Sequence, residues 1–475
     1  MAKTVLAGLA VAFVLFAGRA SSATFSQQEL SIPMDDGVSI AATLYLPDGS
    51  PPAGGWPAIV FLHGLGGDRS QSNAIAQAFG FVGQDYAVLT FDARGMGQSG
   101  GLVSIDGPRE IQDVKEIEAW LAARPDIADT RIGAWGISYG GGAALDSLVA
   151  GVPWAAVATA QTWTDLYSAL APQNLVKTGL VAALAGSIPD AKKTPDVLQI
   201  QALAFSGQGA AATKPWADAR SSLAGLASVK TPVFLAQGRR DFLFGIDQGV
   251  NAYKVLRGPK VLYVGLHGHP PSTFPAADTG VLMGQVHAWF DCFLRDVGCA
   301  TRPTGVEVAP ASFAGKVVQY RSLPATKTST FVFPGVSTFA RKGKVVRTSQ
   351  RLAAPLETFG SPAVRVSVAA SGGWSRLVAV LTARTPSGQQ IVVSAGGVPL
   401  RNGAQTATIR LIYQSTYVPK GSSLTLTLGS SSLAQNPANL LYLDLPMPPA
   451  ARIRVGSAVV VVPALQTPIS TSSAP

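Results

Sequence analysis

The sequence predicts an α/β domain with a mostly parallel sheet, followed by a β-sandwich of jelly-roll type. Up to about residue 300, short apolar runs alternate with segments whose apolar residues recur every three or four positions, which is typical of buried parallel strands separated by helices. Beyond that point, short segments alternate apolar and polar residues between Gly, Pro, Asn and Ser, which favours antiparallel strands. The predicted domains are therefore residues 24–300 and residues 301–466.

The strands of the first domain are predicted in continuous apolar runs. A helix is expected between two of them over residues 110–123, because apolar residues recur there at helical spacing, from Ile111 to Leu121. Strands that alternate with helices form a mostly parallel sheet with helices on both faces. The predicted strands are residues 58–62, 87–91, 131–135, 155–158, 233–237 and 261–264.

The second domain is predicted from seven short segments bounded by turn-forming residues. Its densest basic run, residues 341–347, is interpreted as a solvated hairpin edge, because cationic side chains protect an edge strand from pairing with another chain. Residues 467–475 are rich in Ser, Thr and Pro and are predicted to form a flexible tail. The predicted strands are residues 329–333, 364–368, 377–382, 390–394, 406–412, 423–428 and 453–455.

The N-terminal residues carry the features of a secretory signal peptide. Lys3 gives a positive start, residues 5–17 are almost wholly apolar, and residues 21–23 supply small side chains for cleavage. The apolar run is shorter than the roughly 20 residues that span a bilayer. We therefore expect residues 1–23 to be removed, leaving a secreted or envelope-held protein without a stable membrane span. An uncleaved anchor is the alternative.

Charge and cysteine content exclude some classes of function. The chain has 37 lysines and arginines against 27 aspartates and glutamates, a net charge of +10. The basic residues are spread along the sequence without the cluster that nucleic-acid binding requires, so no nucleic-acid partner is predicted. Cys292 and Cys299 lie close together near the end of the helical segment 283–295 and are predicted to form a disulfide, with free thiols as the alternative. Because only four histidines are present, no metal site is predicted.

A Gly-x-Ser-x-Gly motif marks the candidate nucleophile. In Gly136-Ile137-Ser138-Tyr139-Gly140, an apolar strand passes through glycines into a predicted helix around one serine. A serine at the tip of such a turn keeps its Oγ exposed, and the glycines allow neighbouring backbone to pass closely. The helix that follows directs its positive end toward the site. Ser138 is therefore the predicted nucleophile.

The acid and the base are expected at the ends of later strands, in the order serine, acid, histidine. Asp241 directly follows a predicted strand, whereas its competitor Asp247 lies farther on and is more simply a helix-starting residue. His269 stands between a glycine and two prolines, in a rigid loop suited to a positioned base, and His267 is the alternative. The predicted triad is Ser138, His269 and Asp241.

The loop His63-Gly64-Leu65-Gly66-Gly67 follows the first predicted strand and is the candidate for an oxyanion hole. Its glycines let backbone amides turn toward the nucleophile. The backbone N–H of Leu65 is predicted to be one donor, and the N–H of Tyr139, directly after the nucleophile, the other. His63 itself is expected to brace the loop, which lacks the Lys-Ser/Thr ending of a phosphate-binding loop.

A second glycine-rich segment, residues 92–100, is interpreted as a turn braced by an Asp92/Arg94 pair. The acidic residue and the spacing that complete a dinucleotide-binding fingerprint are missing. His287 lies within a predicted helix and is expected to be structural. No cofactor is therefore predicted.

Together these segments resemble the cocaine-esterase and X-prolyl dipeptidyl-peptidase (S15 peptidase-like) group of α/β-hydrolases. The resemblance rests on residues 92–100, 136–140, 238–241 and 268–270 and on the following β-domain, and it covers nearly all of the mature chain. It implies a helical cap at about residues 163–228, a jelly roll of the type found at the C-terminus of X-prolyl dipeptidyl-peptidases, and the roles of nucleophile, acid and base for Ser138, Asp241 and His269. Family members commonly use a tyrosine side chain as the second oxyanion donor, where this chain has His63-Gly64-Leu65.

The expected function is that of a secreted serine hydrolase, which cleaves ester-type acyl bonds of a small-molecule substrate through a Ser-His-Asp triad and an acyl-enzyme. A Xaa-Pro dipeptidyl-peptidase acting on short peptides is the alternative. A non-catalytic protein whose jelly roll grips carbohydrate or envelope polymer is a third possibility. No recognisable acidic pair is present for the free amine of a peptide, beyond the single cap residues Asp165, Asp190 and Asp218. The sequence sets no oligomeric state.

Overall fold

The computed structural model describes residues 25–470 apart from residues 84, 207–209 and 433–440. The predicted signal peptide and residues 471–475 of the predicted tail lie outside the described residues. In chain order, the first domain contains β1 (Phe25–Pro33), β2 (Ser39–Pro47), β3 (Trp56–Leu62), α1 (Arg69–Ala78), β4 (Ala87–Phe91), α2 (Pro108–Ala122), β5 (Ile127–Ile137), α3 (Tyr139–Val149), β6 (Ala156–Ala160), α4 (Leu166–Leu170), α5 (Thr178–Gly186), α6 (Pro195–Phe205), α7 (Ala210–Asp218), α8 (Leu223–Leu226), β7 (Val233–Gly238), α9 (Ile246–Val255), β8 (Lys260–Gly265), α10 (Thr279–Arg295), β9 (Gly305–Val308) and β10 (Val318–Tyr320).

A ten-stranded sheet forms the centre of this domain, with the strand order β1-β2-β4-β3-β5-β6-β7-β8-β9-β10. Neighbouring strands from β4 to β9 are parallel, and β1, β2 and β10 are antiparallel additions at the two edges. The parallel part contains all six predicted strands. The parallel sheet predicted from the sequence is therefore confirmed.

Helices cover both faces of the sheet. α2, α3 and α9 pack on one face through residues such as Ile117, Leu145 and Val250, and α1 and α10 pack on the other through Ile75 and Phe290. Because both faces are covered, β4 and β6 are buried at every position. Among the described residues, no helix is both long and apolar enough to cross a membrane.

The described residues between β6 and β7 form the short helices α4 to α8, in the segment where the resemblance implies a cap. Lys177, just before α5, is buried against the loop after β7. Its Nζ donates hydrogen bonds to the carbonyls of Phe242 (3.0 Å) and Leu243 (2.8 Å). This lysine fastens the cap to the loop that carries Asp241.

The structure places the end of the first sheet later than the predicted boundary at residue 300. β9 pairs in parallel with β8, and β10 pairs with β9, so residues up to Tyr320 belong to the first sheet. The change in sequence pattern precedes the change of sheet because these last two strands, of four and three residues, are short and lie at the end of the sheet. At the end of α10, Cys292 and Cys299 form a disulfide, which confirms the predicted pairing.

The second domain is a sandwich of two antiparallel sheets. Its strands are β11 (Thr326–Phe333), β12 (Ser337–Ala340), β13 (Lys344–Arg351), β14 (Leu356–Glu357), β15 (Ala363–Ser371), β16 (Arg376–Arg384), β17 (Gln390–Pro399), β18 (Gly403–Arg410), β19 (Tyr417–Val418), β20 (Ser423–Gly429) and β21 (Arg452–Leu465). One sheet has the order β11-β21-β15-β18, with β12 also paired to β21, and the other has the order β13-β20-β16-β17. Alternate side chains, such as Val364 and Leu426, fill the space between the sheets.

The predicted basic hairpin at residues 341–347 is corrected by the strand pairing. β12 pairs with β21 and β13 pairs with β20, so the turn between them joins two sheets instead of closing a hairpin. β13 is an edge strand, as expected. Arg347 is not solvated, because its guanidinium is buried and donates hydrogen bonds to the carbonyls of Phe333 (3.3 Å) and Gly456 (2.6 Å).

A buried ion pair joins the two domains. Arg239, directly after β7, pairs with Glu357 of β14 at 2.5 Å, and both side chains are almost wholly inaccessible to solvent. Glu357 also accepts hydrogen bonds from the backbone N–H groups of Ile469 (2.7 Å) and Ser470 (3.0 Å). The described part of the predicted flexible tail, residues 467–470, is therefore held at the domain interface, because a buried carboxylate needs such donors.

Candidate active site

The predicted nucleophile lies at the tip of a sharp turn between β5 and α3. Ser138 has a φ of +53°, a left-handed conformation that residues other than glycine rarely adopt, so its backbone is strained. The Ser138 N–H donates to the carbonyl of Ala160 (2.9 Å), and Oγ1 of Thr162 donates to the carbonyl of Ser138 (2.7 Å). A side chain at Gly136 would collide with the carbonyl of Gly140, which explains the glycine at that position of the motif.

The structure brings the three predicted triad residues into one chain of hydrogen bonds. Oγ of Ser138 lies 2.8 Å from Nε2 of His269. Nδ1 of His269 lies 2.7 Å from Oδ2 of Asp241. The backbone N–H of His269 donates to the same carboxylate oxygen at 3.0 Å, which fixes the loop as well as the ring. The acid and the histidine follow β7 and β8, so the carboxyl ends of adjacent parallel strands supply both.

The environment of Asp241 keeps its carboxylate ionised. The residue is fully buried, and burial alone would raise its pKa. The charge and hydrogen bonds of His269, together with backbone donors, outweigh that effect and hold the pKa of Asp241 below its ordinary value. The other carboxylate oxygen accepts the backbone N–H groups of Leu243 (2.9 Å) and Phe244 (3.0 Å). An ionised carboxylate on Nδ1 fixes the tautomer in which Nε2 faces the serine.

The competing acid and histidine lie elsewhere. Asp247 is in the first turn of α9, as predicted, and is near Lys177. His267 is fully buried between the rings of Tyr263 and Phe274, and burial lowers its pKa. Neither side chain has a hydrogen bond to His269 or to the serine. Geometry therefore favours the predicted residues over both alternatives.

The other two histidines have the structural positions predicted for them. Nδ1 of His63 lies 2.8 Å from the carbonyl of Gly64, and its Nε2 accepts the backbone N–H of Ala93 at 2.9 Å, so the ring braces the loop. His287 stacks on Phe81 with ring centres 3.8 Å apart.

The loop that follows β3 runs beside the nucleophile. The N–H of Gly140 donates to the carbonyl of His63 at 2.9 Å, which ties this loop to the elbow. A methyl group placed on Gly64 would lie 3.9 Å from Cβ of Ser138. Within the described part of the chain, the backbone N–H groups of Leu65 and Tyr139 donate to no acceptor. Both amides predicted as oxyanion donors are therefore available to a ligand.

The predicted Asp92/Arg94 pair is wrong, although both residues brace the turn at 92–100. Asp92 pairs with Arg69 at 2.5 Å and accepts the N–H of Gln98 at 2.7 Å. Arg94 instead pairs with Asp113 of α2 at 2.6 Å. The side chains of Asp92 and Arg94 point to partners on different helices, although the two residues are close in sequence.

A buried apolar cluster lies beside the triad. Its side chains come from the elbow, the cap and the acid loop, and the ring of Phe244 contacts that of His269 edge to face, with ring centres 5.2 Å apart. Among the described residues, no group of three or more His, Cys, Asp or Glu side chains is arranged to hold a metal ion. The cluster comprises Met96, Val103, Tyr139, Trp163, Leu166, Ala169, Ile188, Ala217, Leu243 and Phe244, with Leu65, Leu180 and Leu184 partly buried against it.

Sequence reasoning missed a set of buried acids behind the elbow. The hydroxyl of Tyr139 donates to Glu110, and the backbone N–H of Asp106 donates to the same glutamate at 3.1 Å. Burial raises the pKa of Asp106 and Glu110, and it raises the pKa of Asp146 to about 8. The signal in the sequence was the position of Glu110 and Asp146 among the apolar residues of helical segments, whereas Asp106 lies in a loop and gave no signal.

Lys177 is a further buried charged residue near the site that the sequence analysis does not single out. Burial lowers its pKa to about 8, and the nearby carboxylates of Asp247 and Asp241 oppose that effect. The signal was a lone lysine within an otherwise apolar stretch of the cap.

Comparison with known proteins agrees with this architecture. Residues 36–270, which contain the elbow, Asp241 and His269, match the X-Pro dipeptidyl-peptidase (S15) family. The quorum-quenching protein AidA of Acinetobacter baumannii (strain MDR-ZJ06) is 36% identical over 148 residues, which cover 29% of this chain and 47% of AidA. The chain thus spans about half the length of that relative.

Two solved structures share the whole fold. A CocE/NonD family hydrolase from Staphylococcus aureus superposes with a TM-score of 0.73 at 13% identity, over 93% of this chain and 94% of that one. An α-amino acid ester hydrolase superposes with a TM-score of 0.66 at 15% identity, over 98% and 100% of the two chains. The match therefore places residues 36–270 in the S15 peptidase family, and the chain as a whole has the fold of the CocE/NonD α/β-hydrolases.

Proposed function

We propose that this protein is a secreted serine hydrolase that cleaves ester-type acyl bonds through an acyl-enzyme on Ser138. The observation that carries the proposal is the continuous chain of hydrogen bonds from Ser138 through His269 to Asp241, with distances of 2.8 and 2.7 Å. A serine hydroxyl is a weak nucleophile, and an adjacent base oriented by a third group is the arrangement that activates it.

In the first half of the reaction, Nε2 of His269 accepts the proton of Ser138 as Oγ bonds to the acyl carbon. Asp241 stabilises the imidazolium that forms. The backbone N–H groups of Tyr139 and Leu65 donate to the negatively charged oxygen of the tetrahedral intermediate. Each such donor is worth about 2.7–4 kcal/mol in comparable sites. The intermediate collapses when His269 gives its proton to the leaving alcohol, which leaves the acyl group on Ser138.

In the second half, water replaces the alcohol. His269 accepts a proton from the water as its oxygen bonds to the acyl carbon, and the same amides hold the second oxyanion. The bond to Oγ of Ser138 then breaks, the proton on His269 returns to that oxygen, and the carboxylic acid leaves. The residues therefore return to their starting protonation states without any cofactor.

The surroundings of the triad favour an ester over a peptide with a free amine. The side chains that lie beside the triad are mostly apolar, which suits an uncharged acyl group. The three cap carboxylates singled out by sequence already have partners: Asp165 caps α4 by accepting the N–H of Ser168, while Asp190 pairs with Lys193 at 2.6 Å and Asp218 with Lys214 at 2.6 Å.

The second candidate is a Xaa-Pro dipeptidyl-peptidase, which the family match over residues 36–270 favours. A panel of substrates separates the two. Wild-type protein should cleave short-chain p-nitrophenyl esters with a kcat/KM far above that for Gly-Pro and Ala-Pro p-nitroanilides, and Ser138→Ala should cleave neither. The reverse ranking, with activity lost when the amine of the peptide is acetylated, would show that the peptidase is correct.

Secretion is proposed from the signal-peptide features of residues 1–23, and the disulfide between Cys292 and Cys299 supports an oxidising compartment. N-terminal sequencing of the protein from its native host should find a chain that begins near Thr24. An intact N-terminus on protein from the cytosol would overturn this part of the proposal.

A further inference from the structure

The charge of this protein is divided unequally between its two domains. Residues 25–325 contain 21 lysines and arginines and 25 aspartates and glutamates, whereas residues 326–470 contain 14 and two. The sandwich therefore carries a net charge of +12, and the hydrolase domain a net charge of −4. Both acids of the sandwich are engaged, since Glu357 is buried against Arg239 and Asp444 accepts the hydroxyl of Ser430 at 3.3 Å.

Four exposed arginines lie on the outer face of the sheet β11-β21-β15-β18. Arg365 lies on β15 and Arg410 lies on the neighbouring strand β18. The residue of β18 opposite Arg365 is two positions before Arg410, so the two arginines are neighbours on the outer face. Arg454 of β21 lies opposite Ala369 of β15, and Arg452 is two residues before it. Among the described residues, no carboxylate pairs with any of these four guanidinium groups. The positive charge on this face is therefore not neutralised by any carboxylate of the described residues.

Small side chains separate the two arginine pairs and leave a depression in the face. At about 3.3 Å per residue, the four positions from Arg365 to Ala369 place the pairs about 13 Å apart. A bulge in the pairing of β15 with β21, between Val366 and Val368, lies under this depression. Its lining includes Ser367, Ala369, Ala404, Thr406, Arg454 and Gly456. We call the four arginines and this lining the arginine trough.

We propose that the arginine trough binds an acidic polysaccharide. Guanidinium groups form paired, charge-assisted hydrogen bonds with carboxylates, and each end of the trough has two guanidinium groups. Nη1 of Arg452 already donates to the carbonyls of Pro449 and Ala451, both at 2.9 Å, so this group offers its remaining N–H groups. Between the ends, the hydroxyls of Ser367 and Thr406 face outward, where they can bond with sugar hydroxyls. A linear polymer of uronic acid carries carboxylates at intervals along a hydroxyl-rich chain, and it matches both features. This inference does not depend on the proposed hydrolase activity.

Two other polyanions match the trough less well. Single-stranded nucleic acid is held by aromatic side chains on which bases stack, and the described aromatic residues of the sandwich are all buried or half-buried. A membrane surface is usually entered by exposed apolar residues. The exposed Val332 lies on β11, at the opposite edge of the sheet from Arg410 of β18, and Val336 is a single exposed valine just before β12, which pairs with β21.

Native gel electrophoresis in gels that contain polygalacturonate tests the proposal with the full mature chain. Polygalacturonate should retard the wild-type protein, and neutral dextran should not. The variant R365S/R410S/R452S/R454S should lose affinity by about tenfold or more, because charge-assisted contacts are removed from both ends. The pair variant R365S/R454S, which removes one arginine from each end, should show an intermediate loss if the fourfold variant does not fold.

A matched control removes the same charge from the same domain away from the trough. In K327S/K342S/K344S/K420S, all four substituted lysines are exposed, and this variant should stay close to wild type in retardation. Equal weakening of the two fourfold variants would show attraction to bulk charge and would overturn the proposal. So would the absence of wild-type retardation, or trough-dependent binding to phosphatidylglycerol vesicles or single-stranded DNA without binding to polygalacturonate.

Discussion

Two histidines stand two positions apart in the same loop, and their surroundings differ sharply. His269 contacts Ser138 and Asp241, whereas His267 is enclosed by Tyr263 and Phe274. His269→Ala should lower kcat for ester hydrolysis by about 10⁴-fold or more with little change in Tm, because proton transfer to and from the serine is lost. His267→Ala should instead lower Tm, because it empties a buried site, and should leave much of kcat. Steady-state kinetics measure kcat and thermal unfolding measures Tm for the two variants. A near-normal kcat in His269→Ala together with a large loss of kcat in His267→Ala would contradict the assignment.

The second oxyanion donor can be tested through a single backbone hydrogen. Leu65→Pro removes the N–H of that residue, whereas Leu65→Ala keeps it and shortens only the side chain. Leu65→Pro should lower kcat by about 10²- to 10³-fold, which is the effect of removing one oxyanion donor elsewhere. Leu65→Ala should remain within about tenfold of wild type. Similar losses in the two variants, at matched Tm, would show that the side chain matters and the amide does not.

At the scale of elements, α2 and α3 enclose the buried acids behind the elbow. Burial raises the pKa of Asp146 of α3 to about 8 from an ordinary value of 3.8. Between these values the folded protein holds a proton that the unfolded chain has released, so stability is complete below about pH 4 and falls as pH rises toward 8. The Tm of wild type should therefore fall more between about pH 5 and 9 than that of Asp146→Asn. Asp129→Asn, which changes an exposed residue, should follow wild type; parallel curves for all three proteins would contradict this account.

The elements that sequence reasoning predicted are those with a strong local pattern. The six predicted parallel strands are covered on both faces, so each is a continuous apolar run. The strands β1, β2, β9 and β10, at the two ends of the sheet, are not predicted. β1 and β10 are edge strands with exposed positions and β9 has only four residues, so their sequence pattern is weaker, whereas β2 is mostly buried and has no such reason. The basic run at residues 341–347 predicts a hairpin edge, because cationic side chains protect edge strands, but the two flanking strands enter different sheets.

The candidate site also contains residues that a local sequence pattern predicts and residues that it does not. Ser138, Asp241 and His269 were predicted because parallel strands place their carboxyl ends at one edge, so position after a strand is enough. Lys177 and the partners of Asp92 and Arg94 depend on which elements meet in space, which local sequence does not contain. Their roles came only from the packed structure.

At the scale of the whole molecule, the pair Arg239–Glu357 links the domain interface to the loop that carries Asp241. Burial would raise the pKa of Glu357, but Arg239 holds it below its ordinary value. Glu357→Gln should cost about 3 kcal/mol of unfolding free energy, because it leaves Arg239 buried without a counter-charge. Glu116→Gln, which breaks a pair with Arg109 near the surface, should cost less than about 1 kcal/mol. Denaturant unfolding measures the loss of unfolding free energy in both variants. Equal losses would show that the buried pair stabilises the fold no more than the surface pair does.

Covalent labelling shows whether Ser138 carries the acyl group. The wild-type protein should react with a fluorophosphonate probe, and mass spectrometry of the digest should place one phosphonyl group on the peptide that contains Ser138. Ser138→Ala should stay unlabelled, and His269→Ala should react far more slowly because Oγ is no longer activated. Equal labelling of wild type and Ser138→Ala, or a label on a different residue, would contradict the account.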